Sequence, residues 1–191
     1  MKRRLLLLLI SLGMGCSCNG NAEAAAKETI CTSALGTLVV KNVLVPSNTT
    51  CGLNGTTVTG DITVMRGARL KARRVQINGD IEANGAVRVD ITDSVLKGDI
   101  ELREGRGARI MNNEIRGDIE LEHNRGLLMV SGNQIKGDIT AKENLGGLQI
   151  SRNNVDDLEC FNNRPVPNGY GNTVKGSRKE QCRNLEAAGR S

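Results

Sequence analysis

From about residue 60 onward, apolar and polar residues alternate in short runs, and the runs return roughly every 19 residues. Ile62, Ile81, Ile100, Ile119, Ile139 and Leu158 share one place in this repeat. Two residues further on come Val64, Ala83, Leu102, Leu121, Ala141 and Cys160, with polar neighbours between. A period of two is the signature of a strand with one buried face. A second strand is predicted where Leu70, Val89, Ala108, Leu128 and Leu148 align, with Ala72, Ile91, Ile110, Val130 and Ile150 two residues later. A third inward position is Ile77, Leu96, Ile115, Ile135 and Val155.

The repeats carry a common punctuation. Gly-Asp-Ile begins at Gly60, Gly79, Gly98, Gly117 and Gly137, and a degraded copy reads Asp156-Asp157-Leu158, at spacings of 19, 19, 19, 20 and 19 residues. Self-similarity at a short fixed period predicts a solenoid. An α-helical repeat needs apolar residues at 3.6 spacing and tolerates Gly, Asn and β-branched residues poorly. The Leu-x-x-Leu-x-Leu pattern of leucine-rich repeats is missing. The prediction is therefore all-β: a single-stranded parallel β-helix of 19–20 residues per coil, with six or seven coils. Asn113, Asn133 and Asn153 fall between the second and third strands, where stacked amides can bond to copies above and below. Gly67, Ala86, Gly105, Asn124 and Asn144 mark another bend.

With 191 residues the chain suffices for one domain, and its only aromatics are Phe161 and Tyr170. The core must therefore be layered aliphatic side chains, and the two aromatics are expected to cover its C-terminal end. Lys2-Arg3-Arg4, the apolar run Leu5–Leu12 and Ala22-Glu23-Ala24 read as a signal peptide over 1–24, so the protein is expected to be exported, secreted or periplasmic. Gly13-Met14-Gly15-Cys16 is a poor lipobox; a lipoprotein anchored at Cys16 or Cys18 is the alternative. Cleavage after Ala24 lowers the formal charge from +5 to about +3, which gives little support to nucleic-acid binding. Cys31, Cys51, Cys160 and Cys182 then remain, an even set in an exported chain, with the cysteine-free repeats between the two clusters. Of the three pairings open to four cysteines, one staple at each end, Cys31–Cys51 and Cys160–Cys182, is the expected one. The predicted division is an N-terminal cap at 25–59, repeats at 60–159, a C-terminal cap at 160–182 and a flexible tail at 183–191. Stapled ends predict a monomer with no transmembrane helix in the mature chain.

Residues 39–182 resemble a family of uncharacterised secreted bacterial β-solenoid proteins. The resemblance rests on the lead-in Cys51-Gly52-Leu53-Asn54-Gly55-Thr56-Thr57-Val58-Thr59-Gly60-Asp61. It rests also on the closing Gly171-Asn172-Thr173-Val174-Lys175-Gly176 with Gln181-Cys182. The Gly-Asp-Ile punctuation is also similar to that of bactofilins, polymer-forming β-helices, although the signal peptide and cysteines depart from that cytosolic family. The wider architecture resembles pectate-lyase-like β-helices, and these resemblances imply a right-handed coil. None implies an activity for this chain.

Candidate chemistry follows from the strand alternation. If Ile62 and Val64 face inward, the residues beside them build two acidic columns outside: Asp61, Asp80, Asp99, Asp118, Asp138 and Asp157, and Glu82, Glu101, Glu120 and Glu159. Rungs about 4.8 Å apart make like charges repel, and something must offset this. Ca²⁺ held by Asp80, Glu82, Asp99, Glu101, Asp118 and Glu120 is one candidate, and no other cofactor is indicated. A basic partner is another. Screening by Lys97, Arg116 and Lys136, or use of each Asp to accept backbone N–H groups at a coil corner, is the structural alternative. Arg69, Lys71, Arg73 and Arg74 form a basic surface suited to an anionic polymer or lipid. His123, the only histidine, falls in a predicted bend. The repeats are nearly uniform, and no inserted loop builds a cleft. The expectation is therefore a non-enzymatic structural or binding module of the cell envelope or extracellular space, facing an envelope component or polysaccharide. A Ca²⁺-dependent polysaccharide lyase and a bactofilin-like polymer are the alternatives.

Overall fold

The computed structural model describes residues 28–185, and they form one parallel β-solenoid. Each coil contributes one strand to each of three parallel sheets, so consecutive strands of a sheet lie a full coil apart in sequence. The first sheet has nine strands, from Thr29–Ile30 to Arg178–Glu180. The second has seven, from Ala34–Leu35 to Leu148–Ser151. The third has eight, from Val39–Val40 to Thr173–Val174. The register is that of the aligned repeats: Ile100 pairs with Ile119, Ile110 with Val130, and Ile115 with Ile135. Equivalent side chains therefore stack on each other, and all three inward columns are buried. Each large aliphatic residue withdrawn in this way contributes roughly 1.5–3 kcal/mol.

About eight coils are present rather than six or seven. The segment expected as an N-terminal cap supplies strands to all three sheets, and residues after Cys160 add Thr173–Val174 and Arg178–Glu180. These outer coils keep the geometry while losing the letters of the repeat: Asn42-Val43 takes the place of Asp61-Ile62, and Ser177 the place of Asp157.

Two of the three corners are built alike. After the first sheet, Asn48, Gly67, Gly85, Glu104, His123, Glu143, Asn162 and Glu180 all take positive φ, between 51° and 78°. After the second sheet, Gly55, Arg74, Asp93, Asn112, Gly132, Arg152 and Gly171 do the same. The residue after each of these points inward. Past the second sheet that residue is Asn113, Asn133, Asn153 and Asn172, and past the first it is Asn124, Asn144 and Asn163. The Oδ1 of each accepts the backbone N–H and the Nδ2–H of the equivalent residue one coil earlier, as from Asn113 to Asn133 at 3.0 Å each. The Nδ2 also donates to a strand carbonyl, as from Asn133 to Ile110 at 2.9 Å. Ser94 carries the first ladder one coil further, and Gln181 closes the second at Asn163. The bend column of the sequence reading is corrected at one place. Gly67 belongs to the positive-φ column, and buried Ala68 holds the inward position next to Ala86, because the chain takes only 18 residues from Gly67 to Gly85.

The third corner has no positive φ and uses the Gly-Asp pair. Each Asp Oδ1 accepts the backbone N–H of the Asp one coil later: Asp61 from Asp80 at 3.0 Å, and Asp80 from Asp99, Asp99 from Asp118, Asp118 from Asp138 and Asp138 from Asp157 at 2.8 Å. The glycines are required by space. A Cβ at Gly79, Gly98, Gly117 or Gly137 would fall on the Asp Oδ1 of the preceding coil and crowd that coil's Gly carbonyl.

Both disulfides lie where the sequence placed them. Cys31–Cys51 joins the first two coils with Cα atoms 5.4 Å apart, and Cys160–Cys182 joins the last two at 5.0 Å. Loops of this length gain about 3 kcal/mol each in the chain-entropy picture. The C-terminal end is closed by a 3₁₀ turn, Gln181–Asn184, with Cys182 and Leu185 buried. Phe161 and Tyr170 do not cover it: both are exposed, and Tyr170 instead lies against Arg152, whose Nη2 donates to its hydroxyl at 2.7 Å. With no bulky aromatic needed, the end is filled by the disulfide and one leucine. The predicted signal peptide, the lipidation candidates Cys16 and Cys18, and the tail beyond Leu185 lie outside the described residues.

The corner geometry predicts a coupling. Gly98→Ala should destabilise the protein by about 1–3 kcal/mol, as overpacking does. The same change in an Asp80→Ala background should cost less, because half of the collision is with Asp80 Oδ1. Denaturant unfolding of the four variants measures this, and strictly additive effects would contradict the shared corner.

Candidate functional site

The two acidic columns have different jobs. The Asp column, including Asp80, Asp99 and Asp118, turns into the coil corner, where each Oδ1 is occupied by a backbone N–H. Hydrogen bonds to the charged form favour it. Asp157 shows this: the Ser177 N–H, donating at 2.6 Å, is the main cause that holds its carboxyl below the ordinary Asp range, with Lys179 assisting.

The Glu column stays on the outer face of the first sheet, and Arg103 is its hub. The Arg103 guanidinium binds Glu101, reaches Glu120 across to the next coil at 2.9 Å, and meets Glu122 at 3.2 Å. The bond to Glu122 is the leading reason that its pKa is raised, and the guanidinium stays charged. Lys142 adds a 3.8 Å contact to Glu122, and Lys179 lies near Asp157 and Glu159. Compensation thus comes from the same sheet. Lys97, Arg116 and Lys136, expected to screen the Asp column, form no ion pair with it within the described residues. Glu82 has no ion-pair partner among them either, and lines a shallow cleft of about 410 Å³ with Thr63, Met65, Arg66, Glu101 and Arg103. Among the described residues no group of three or more His, Cys, Asp or Glu side chains is arranged to hold a metal ion. The hub was legible in principle: one outward place in the aligned repeats reads Arg103, Glu122, Lys142, an alternation of sign from rung to rung.

The predicted basic surface lies on the outer face of the second sheet. Arg69, Lys71 and Arg73 alternate outward along one strand, and Arg74 follows in the corner with its Nη2 on Asn54 Oδ1 at 3.0 Å. The next coil sets Arg88 beside Arg69 and Asp90 beside Lys71, and the coil after sets Arg109 beside Asp90. His123 is an exposed corner residue whose Nε2 is 3.2 Å from Glu143. It lines a cleft of about 750 Å³ between the first and second sheets with Arg66, Glu104, Arg106 and Arg125.

A parallel β-solenoid stapled by disulfides is the class of protein that this geometry defines, and such covalent staples belong to chains that fold in an oxidising, extracytoplasmic setting. No helix of the described residues is long and apolar enough to cross a membrane. Comparison with protein-family profiles, with curated proteins and with solved structures returned no match.

Two outcomes are expected. Arg103→Gln leaves three carboxylates facing one another, so its melting temperature should fall and should rise again with millimolar Ca²⁺; the wild type should show neither Ca²⁺-dependent stabilisation nor saturable calorimetric heat. A saturable wild-type isotherm abolished by Asp99→Asn/Asp118→Asn would make the acidic columns a metal surface after all. The second concerns acid. Because the Asp157 carboxyl is held below its ordinary value, its contribution is present above about pH 4 and is lost as pH falls through the lower folded value. Melting curves from neutral pH to pH 3 should therefore fall less steeply for Asp157→Asn than for the wild type.

Proposed function

We propose that this protein is an exported, non-enzymatic β-solenoid that serves as a rigid structural or binding module of the cell envelope or extracellular space. The observation that carries this reading is the use made of the recurring polar residues. The Asp and Asn columns, which are the conspicuous repeated chemistry of the chain, are spent on bonds between coils. The outward Glu column is balanced by cations of its own sheet. What such a rod offers to a partner is a regular, charged surface held stiffly over about eight coils. The resemblance of the lead-in and closing motifs to secreted bacterial β-solenoids agrees with this, as do the basic n-region and apolar run of the first residues.

The lyase alternative has one supporting feature, the cleft that gathers Glu82 and Glu101 with Arg66 and Arg103. A lyase needs a base and acids that bind Ca²⁺ on one substrate-sized wall. Here Arg66 is committed to Glu104 at 3.0 Å and Arg103 to three glutamates.

Fractionation with mass analysis tests the proposal. The expected product begins after Ala24, carries both disulfides with no free thiol among Cys31, Cys51, Cys160 and Cys182, and is recovered outside the cytosol. An uncleaved cytosolic chain with free thiols would sink the export reading. Incubation of the same material with acidic polysaccharides and Ca²⁺ should give no rise in ultraviolet absorbance; the unsaturated product of an elimination would install the lyase instead.

A further inference from the structure

The charges of the rod are segregated, and the sides differ in how completely they are balanced. On the second sheet and its corner with the first, each nearby acid is already taken: Asp90 by Arg88 at 2.7 Å, Asp93 by Arg73 at 3.4 Å, and Glu104 by Arg66 at 3.0 Å. Arg69, Lys71, Arg74, Arg106, Arg109 and Arg125 are exposed there and have no acidic partner among the described residues. Arg69 and Lys71 are outward residues of one strand, and Arg109 stands two coils above Lys71. Arg106 and Arg125 occupy successive coils at the adjoining corner, where both line the 750 Å³ cleft. The cations thus form a patch rather than a row. Rungs are about 4.8 Å apart, so neighbouring charges lie within a Debye length and raise one another's field.

The same corner turns apolar as it continues. Leu145 follows Arg125 in the next coil and is 56% exposed. Leu127, two residues after Arg125, is 49% exposed and lies toward Gly147. Cations beside exposed aliphatic side chains on a stiff face fit the boundary between anionic headgroups and acyl chains, where both kinds of side chain are satisfied at once. A soluble polyanion would use the cations and leave the leucines in water.

We propose that the second-sheet face, with the Arg106–Arg125 corner and its flanking leucines, docks the protein on an anionic phospholipid surface. This rests on the envelope-module reading and names the partner of that module.

The exported protein with its disulfides formed is tested by co-sedimentation with vesicles of phosphatidylglycerol and phosphatidylcholine in equal parts, against phosphatidylcholine alone. Binding is expected to the charged vesicles only, and to weaken as ionic strength rises from about 0.1 to 1 M and the screening length shrinks from about 10 to 3 Å. Each basic residue at such a surface is worth about fivefold in partitioning, so Arg106→Glu/Arg125→Glu should weaken binding by tenfold or more. Lys97→Glu/Arg116→Glu makes the same charge change on another side of the rod and should leave binding near wild type; both variants are first shown to melt as the wild type does. Leu127→Ser/Leu145→Ser should weaken vesicle binding without affecting capture by soluble polyphosphate. Equal loss in the two charge variants would reduce the effect to net charge and overturn the docking face. Unchanged vesicle binding in the leucine variant, with polyphosphate held as tightly, would assign the patch to a soluble polyanion and overturn the membrane partner. Either result leaves the export test untouched, whereas a cytosolic, thiol-bearing chain would sink the envelope reading whatever the vesicles show.

Discussion

Everything in this molecule depends on how a coil satisfies the backbone at its corners. A strand interior finds partners for its N–H groups in the neighbouring strands, but a sharp bend between two strands leaves some without. A buried donor left alone costs roughly 1–3 kcal/mol, and with three corners per coil a solenoid could not carry that burden. The solution here is a side-chain oxygen from the adjacent coil at each corner: Asn at two, Asp at the third. Each bond is also a bond between coils, so closing a corner and stacking the rod are one event.

The choice of amide or carboxylate follows burial. Asn113, Asn124, Asn133, Asn144 and Asn153 are at most 2% exposed. There an ionised group would carry a large desolvation cost, while an amide can both accept from one coil and donate to a strand carbonyl. At the Gly-Asp corner, solvent reaches the second carboxylate oxygen, so a charge is tolerated and the stronger charge-assisted bond is available. The repulsion down the Asp column is met by these N–H dipoles, and that down the Glu column by Arg103 and Lys142.

The consequence for function is a division of the surface. The first sheet is acidic but internally balanced, and the second is basic with cations to spare. An object of this kind acts by presenting a face, and its rigidity keeps the spacing of that face constant. In a stack where each coil contacts only its neighbours, the disulfides at the ends oppose fraying where nearest-neighbour support is halved.

The inward columns, the period of the coil, both disulfide pairs and the Asn113–Asn133–Asn153 stack were legible in the sequence, because each is set by pairing between equivalent residues at a nearly constant offset. The outer coils were not, since Asn42-Val43 and Ser177 meet the corner requirement with different residues and so break the repeat that announces it. Nor was the 18-residue coil that puts Ala68 rather than Gly67 on the inner face, because a bend can absorb one residue without disturbing either strand. Tertiary structure alone decided that Gly is needed to make room for the Asp of another coil and that three glutamates share Arg103. It alone placed Arg106 and Arg125 beside Leu127 and Leu145, next to the Arg69 strand. Those relations run across coils, between residues whose positions in the repeat differ, and a linear period records only like with like.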